Sequence, residues 1–146
     1  MTTSFSLHPR LAADCAEAGD LPLCRLLLMR DRRFPWCILV PRIAGLTALH
    51  QMPEERRMDW FSELDAVSRA VLDLPGITRI NVGALGNLVP QLHVHVIGRH
   101  PDDAAWPGPV WGSGPAEVPP DAEVDSLLRT LRAALSSMLS TPGTGA

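Results

Sequence analysis

Two histidines separated by one residue stand out in the apolar segment Pro90–Ile97 (PQLHVHVI). Side chains alternate between the two faces of a β-strand, so Gln91, His93 and His95 would share one face. The opposite, core-facing side would carry Leu92, Val94 and Val96. Two imidazoles and an amide in a row are costly on a strand unless they have partners. The pattern therefore predicts a functional face.

Two kinds of chemistry suit this pair of imidazoles. Two histidines on a strand can ligate zinc if a third ligand arrives from elsewhere. The candidate third ligands are His8, His50, His100 and various carboxylates, none at a telling spacing. Alternatively, a neutral imidazole can attack phosphorus, and backbone N–H groups of the loop Gly83–Asn87 (GALGN) would approach the phosphate oxygens. Spacing alone does not choose between zinc and phosphate.

The composition excludes several other chemistries. All 13 basic residues are arginine, and the chain contains no tyrosine. A Schiff-base lysine, a P-loop lysine and a tyrosine nucleophile are therefore impossible. The net charge of −3 provides no broad basic field, so duplex nucleic acid is not an expected partner. A small phosphorylated ligand needs only a local site and remains open.

The cysteines and the absence of long apolar runs bear on the cellular compartment. Cys15, Cys24 and Cys37 show no metal-binding spacing, and an odd number without a framework indicates a reducing environment. The N-terminus has no apolar stretch of signal length, and no run is long enough to span a bilayer. We expect a cytoplasmic protein with no membrane contact.

The first predicted elements are a hairpin and a helix. The apolar runs Leu21–Met29 and Trp36–Val40 flank a charged turn and predict two antiparallel strands. From Pro53 to Leu74 the apolar residues recur at helical spacing, and Pro75–Gly76 predicts the end of this helix. The expected apolar stripe comprises Trp60, Phe61, Leu64, Val67, Val71 and Leu74.

Two further strands, Ile77–Ala84 and Leu92–Ile97, and a second main helix from about Asp121 complete the pattern. The order β–β–α–β–β–loop–α predicts one α+β domain over residues 1–139, with an antiparallel sheet and helices on one side. Residues 140–146 are expected to form a disordered tail.

The surroundings of the histidine pair resemble the histidine triad (HIT) family. Its motif has three histidines at alternate positions between hydrophobic residues, and Gln91 occupies the first histidine slot. Four flanking segments also resemble the family in the same order: Ile38–Arg42 (ILVPR), Asn81, the loop Gly86–Val89 (GNLV), and Gly98-Arg99 followed by Trp106–Gly108 (WPG). The chain is most similar to a bacterial subgroup whose triad reads QxHxH.

This resemblance implies a HIT-like fold that dimerises into a continuous sheet and binds a purine nucleotide or a nucleotide-derived small molecule. His93 would attack the α-phosphate and form a nucleotidyl-histidine, which water or another acceptor resolves. His95 would hydrogen-bond the phosphate oxygens and support proton transfer, while Gln91 orients its neighbours. No metal or cofactor is expected, because neutral donors can stabilise the transition state. The other implied ligand-binding residues are Asn81, Asn87, Leu88 and Val89 for phosphate and Asp31 for ribose.

Two departures from the family pattern keep alternatives open. Gln91 cannot titrate, and Leu88 stands where many relatives have a phosphate-binding serine. The expected activity is hydrolysis of, or transfer from, a phosphoramidate, dinucleoside polyphosphate or adenylate. The alternatives are a nucleotide-binding module with weak or no activity and a strand-based metalloprotein. The sequence identifies neither the base nor the leaving group.

Overall fold

The computed structural model describes residues 4–140, which form a five-stranded sheet with three α-helices. Two 3₁₀ turns, Leu49–Gln51 and Glu54–Arg56, precede the longest helix. The elements in chain order are α1 Pro9–Asp14, β1 Cys15–Asp20, β2 Cys24–Met29, β3 Trp36–Pro41, α2 Arg57–Leu72, β4 Arg79–Gly83, β5 Val94–Arg99 and α3 Asp121–Ala134.

The sheet order is β1-β2-β3-β5-β4, and every neighbouring pair is antiparallel. The predicted β2–β3 hairpin and the α+β class are therefore confirmed. The histidine-bearing strand β5 lies between β3 and β4, with Ile38 and Gly83 on either side of His95. Residues from three strands thus surround this imidazole.

The two faces of the sheet pack against different parts of the chain. One face packs against α2 and α3 and forms the larger apolar core, which includes Leu26, Leu39, Val96, Val67, Val71 and Leu128. The other face buries a second cluster that includes Leu11 of α1. The two main helices, α2 and α3, thus lie on one side of the sheet as predicted. The short α1, which was not predicted, packs on the opposite face.

The predicted helix over Pro53–Leu74 is confirmed in position, with its first turn formed as a separate 3₁₀ turn. Val67 and Val71 are fully buried, as the apolar stripe requires. Phe61 is 64% exposed, so its assignment to the buried stripe was wrong. Gly76 follows the helix with φ +80°, a conformation that glycine adopts without strain.

The sequence pattern missed α1 and β1 entirely. Both have six residues, and β1 contains a bulge between Glu17 and Gly19 that breaks the regular alternation of side chains. Ser140, the first residue of the predicted tail, pairs with Asp20 of β1 through two backbone hydrogen bonds. The remainder of that predicted tail, residues 141–146, lies outside the described residues.

All three cysteines are buried and unpaired. Among residues 4–140, no helix has both the length and the apolar character needed to cross a membrane.

Candidate active site

The two histidines lie side by side where β5 begins. His93 immediately precedes the strand and His95 is its second residue, and their ring centroids are 5.1 Å apart. The predicted sharing of one face is therefore confirmed. That face is not open to solvent, because His93 is only 8% and His95 only 6% exposed. The histidines form the floor of a cavity.

A main-chain contact fixes the proton on His93. Its Nδ1 lies 2.7 Å from the carbonyl oxygen of Gln91. A carbonyl only accepts hydrogen bonds, so the Nδ1 of His93 must carry the hydrogen and donate it. In the neutral ring, Nε2 then carries the free lone pair. This is the atom with which an imidazole can act as a nucleophile.

A tryptophan fixes the opposite arrangement on His95. Trp36 Nε1 donates a hydrogen bond to His95 Nδ1 at 2.9 Å. Because an indole N–H can only donate, Nδ1 of His95 accepts and Nε2 carries the proton. Burial, together with the nearby charge of His93, lowers the pKa of His95 to about 4. His95 is therefore a neutral imidazole that presents an N–H group at neutral pH.

The side chain of Gln91 does not contact the histidines in the way the family slot implies. Its Oε1 accepts from the backbone N–H of His8 at 2.9 Å, and its Nε2 donates to the carbonyl of Ser6 at 2.8 Å. The orienting contact on His93 comes from the Gln91 main chain. The expectation that the Gln91 side chain orients its neighbours is therefore corrected.

A cavity of about 340 Å³ lies over both histidines. One wall is the loop Gly86–Val89, which we call the phosphate loop, and Gly86 turns the chain there with φ +71°. Among residues 4–140, no backbone carbonyl accepts a hydrogen bond from the N–H groups of Asn87, Leu88 and Val89. We call residues 100–120, which connect β5 to α3, the C-terminal segment. The other lining residues come from α1, the sheet and this segment and include Arg10, Leu11, Asp14, Trp36, Ile38 and Trp111.

A second chamber of about 600 Å³ adjoins this cavity and shares six lining residues with it. Asp31 lies in its wall, but its carboxylate is 1% exposed and is held by Arg33 Nη2 at 2.8 Å. Burial raises the pKa of Asp31, but the hydrogen bonds from Arg33 and from Glu117 N–H outweigh it, so the pKa is lowered. Asp31 braces this loop, which corrects the expectation of an open ribose ligand.

Asn81 lies on the histidine face but away from the cavity. Its Oδ1 accepts from Nη1 of Arg99 at 2.7 Å. Arg99 is 1% exposed and also bonds Asp103 at 2.6 Å and the carbonyl of Gly108 at 2.8 Å. Through this contact Asn81 ties β4 to the C-terminal segment. A phosphate contact from the side-chain amide N–H groups of Asn81 stays a prediction.

The C-terminal segment places Trp111 beside the histidines. Its ring meets the edge of His95 at 5.4 Å between centroids. A Cβ on Gly83 would lie 2.7 Å from Cη2 of Trp111, so only glycine allows this approach. The sequence had suggested that the Gly83 backbone approaches phosphate, whereas Gly83 makes room for an indole. Trp36 and Trp111 are site residues that spacing in the sequence did not reveal.

The zinc alternative depends on a third ligand. In the part of the chain that the structure describes, no group of three His, Cys, Asp or Glu side chains converges. His93 and His95 alone supply fewer protein ligands than the three of a catalytic zinc site.

Comparisons with known proteins give consistent matches. The HIT domain family model matches residues 12–102. The chain is 42% identical to a histidine triad protein from Marinobacter aquaeolei VT8, with a TM-score of 0.89 over 93% of this chain and 99% of that one. A histidine triad protein from Bradyrhizobium japonicum is 40% identical, with a TM-score of 0.87 over 90% and 98%.

A more distant match shares the fold alone. A hypothetical histidine triad nucleotide-binding protein from Sulfolobus tokodaii is 12% identical, with a TM-score of 0.64 over 84% of this chain and 85% of that one. No curated protein matches the chain in sequence.

Proposed function

The chain belongs to the histidine triad (HIT) family, and from that premise we propose that it is a hydrolase or transferase that cleaves a nucleotide derivative at its α-phosphate. The expected HIT-like fold is confirmed by the same matches. The family is one of nucleotide-binding hydrolases and transferases. The substrate classes that we propose are phosphoramidates, dinucleoside polyphosphates and adenylates of a purine nucleoside.

One observation carries this proposal: the protonated Nδ1 of His93 leaves its Nε2 lone pair free in a cavity of about 340 Å³. In the proposed reaction, Nε2 forms a bond to the α-phosphorus, and the bond from phosphorus to the leaving group breaks. The electron pair goes to the leaving group, which takes a proton from solvent. Water or another acceptor then attacks phosphorus and gives up its proton to solvent. The bond from phosphorus to Nε2 breaks, and its electron pair returns to Nε2, which restores the neutral His93.

His95 and the phosphate loop supply donors for this reaction. The Nε2–H of His95 is held in one direction, because Trp36 occupies the other ring nitrogen. A donor fixed in a buried site stabilises the charge that develops on a phosphoryl oxygen without reorganising. The backbone N–H groups of Asn87, Leu88 and Val89 provide further donors on the facing wall. A proton-transfer role for His95 is less suited to a group whose pKa is about 4.

The second chamber is our proposed location for the nucleoside. It is continuous with the histidine cavity and has room for a base and sugar, at about 600 Å³. Its wall includes Leu88, Val110, Trp111 and Val118, which offer apolar contact to a purine ring. A nucleotide with its base here and its phosphate over His93 would occupy both chambers.

We also propose that the chain forms a homodimer through β4. In the sheet of residues 4–140, β4 lies at one end and pairs only with β5, so its outer edge is open to another strand. Val82 of this strand is 47% exposed, and α2 exposes Met58 and Phe61. Pairing two β4 strands would give the continuous sheet that the family resemblance implies.

A second candidate function is nucleotide binding without turnover. The observation that favours it is that the Gln91 side chain bonds the N-terminal backbone. The first position of the triad then contributes no side chain to the reaction. Binding of AMP at micromolar concentration with no product from any of the three substrate classes would support this candidate over catalysis.

The test of the proposed function compares His93→Ala with His100→Ala, which changes a histidine outside the cavity. With adenosine 5′-phosphoramidate, His93→Ala is expected to lose at least about 10³-fold in kcat, while His100→Ala retains it. Calorimetry should show AMP affinity within about threefold of wild type for both variants. Turnover that survives in His93→Ala would overturn the proposal.

A further inference from the structure

The side-chain amide of Gln91 uses both of its polar atoms on one stretch of backbone. Its Oε1 accepts from the N–H of His8, and its Nε2 donates to the carbonyl of Ser6, two residues earlier. This is how a peptide group of a neighbouring strand would bind the same segment. The Gln91 side chain therefore makes the pair of hydrogen bonds that a neighbouring β-strand would make, although the bound segment belongs to none of the five strands.

The segment so bound leads directly to the histidines. We call Phe5–Asp14 the N-terminal segment; it comprises an extended stretch and α1. Phe5 and Leu7 pack on the apolar cluster of the histidine face, and Leu11 is 4% exposed within it. From α1, the residues Arg10, Leu11 and Asp14 line the cavity that holds His93 and His95.

We propose that Gln91 is a positioning residue that clamps the N-terminal segment as a wall of the His93 cavity, and that this wall limits the size of the group bonded to the α-phosphorus. The limit on size rests on the proposed function, whereas the clamp does not. Among the three proposed substrate classes, the closed clamp therefore favours those with a small leaving group, such as phosphoramidates, over dinucleoside polyphosphates.

The geometry explains why this position holds glutamine. The amide presents a donor and an acceptor side by side, whereas the two nitrogens of an imidazole point away from each other. A histidine at position 91 could bind His8 N–H or Ser6 O but not both. A glutamate keeps the acceptor for His8 but loses the donor for Ser6. Gln91→His is therefore expected to loosen the wall.

The first experiment measures the clamp without any nucleotide. In the full chain, Gln91→Ala and Gln91→His are compared with Gln51→Ala, which removes an amide that bonds its own neighbours Thr47 and Ala48. Hydrogen exchange of the amides of His8 and of residues 10–14 should accelerate by about tenfold or more in both Gln91 variants, with a smaller effect in Gln91→Glu. Exchange unchanged from wild type in Gln91→Ala would overturn the clamp.

Acylation by diethyl pyrocarbonate reports whether the segment shields the nucleophile. The exposed His50 serves as an internal reference in the same sample. The rate at His93 relative to His50, followed by mass spectrometry, should rise by about tenfold in Gln91→Ala and stay constant in Gln51→Ala. An equal ratio in wild type and Gln91→Ala would show that the segment is not a wall of this cavity.

The second experiment measures the size limit on a background without turnover. AMP and diadenosine tetraphosphate are titrated into His93→Ala and into Gln91→Ala/His93→Ala. The double variant should bind diadenosine tetraphosphate about tenfold tighter relative to AMP. An unchanged ratio would overturn the size limit. If neither nucleotide binds either protein, the proposed function fails, and the size limit fails with it. The exchange and acylation results decide the clamp in every case.

Discussion

Single residues determine where the protons of the site lie. His93 and His95 are neighbouring imidazoles with opposite proton positions, because one ring donates to a carbonyl and the other accepts from an indole. Spacing in the sequence predicted the pair and its shared face. It did not predict the proton positions, because the Trp36 donor lies 59 residues away from His95 along the chain.

Replacing Trp36 by phenylalanine tests the fixed proton on His95. The change keeps an aromatic ring but removes the N–H that bonds His95 Nδ1. We expect ¹⁵N imidazole shifts to report a mixture of tautomers for His95 in Trp36→Phe and a single Nε2–H tautomer in wild type. The control is Trp111→Phe, because Trp111 touches the His95 ring without donating to it. A single Nε2–H tautomer in Trp36→Phe would contradict this role of Trp36.

The lowered pKa of His95 predicts how stability depends on pH. Its pKa falls from 6.5 to about 4 on folding, so between these values the unfolded chain binds a proton that the folded chain does not. This contribution to the free energy of unfolding is fully present above about pH 6.5 and is lost as pH falls towards about 4.

Urea denaturation at several pH values measures this dependence. The slope attributable to His95 should approach about 1.4 kcal/mol per pH unit within that window, and it should vanish in His95→Gln. Parallel stability curves for wild type and His95→Gln would show that His95 does not titrate in the way that its burial predicts.

At the scale of elements, a buried ion pair holds the C-terminal segment on the sheet. Arg99 of β5 and Asp103 are both nearly inaccessible, and Arg99 also bonds β4 through Asn81 and the segment through Gly108. The hydrogen bonds from Arg99 lower the pKa of Asp103 to about 2. By fixing the segment that follows β5, this network helps to position Trp111 against His95.

Asp103→Asn is expected to destabilise the fold by about 3–5 kcal/mol, because it leaves the Arg99 charge buried without a counter-ion. The matched control is Asp65→Asn, which breaks an exposed pair with Arg69 at the same i,i+4 spacing and should destabilise the fold far less, because solvent screens that pair. Urea denaturation measures both. Equal losses in the two variants would refute a special role for the buried pair.

The elements differed in how well the sequence revealed them. The long helices have a clear helical period, and β2, β3 and β5 lie in distinct apolar segments, so the prediction found these elements with shifted ends. Two short elements, α1 and β1, were missed, since six residues with a bulge at Gly19 show no period. Missing α1 also hid one wall of the cavity, because that wall is formed by tertiary contacts of the N-terminal segment.

At the scale of the whole molecule, the proposed dimer makes a direct prediction. Light scattering after gel filtration should give twice the mass of one chain for wild type. Val82→Lys places a charge on the exposed side of β4 and should give the mass of one chain. The control is Val118→Lys, which also replaces an exposed valine by lysine but at a position outside the sheet, shortly before α3. A dimer that persists in Val82→Lys would contradict pairing through β4.

The histidine cavity and the second chamber adjoin each other, and both are lined by residues from α1 and from the C-terminal segment. The N-terminal segment and Trp111 approach the same pair of imidazoles from sequence positions about a hundred residues apart. The resemblance to the HIT family predicted the ligand class from the central motif. It did not predict how this chain closes the site, because the closing contacts involve residues outside that motif.

The most direct test of the account is to trap the intermediate. Wild-type protein mixed with adenosine 5′-phosphoramidate and quenched within milliseconds is digested under alkaline conditions, which preserve phosphohistidine linkages, and analysed by mass spectrometry. The account predicts an adenylyl group on His93 and on no other histidine. Turnover of the substrate with no adenylyl group on His93 at any quench time would contradict it.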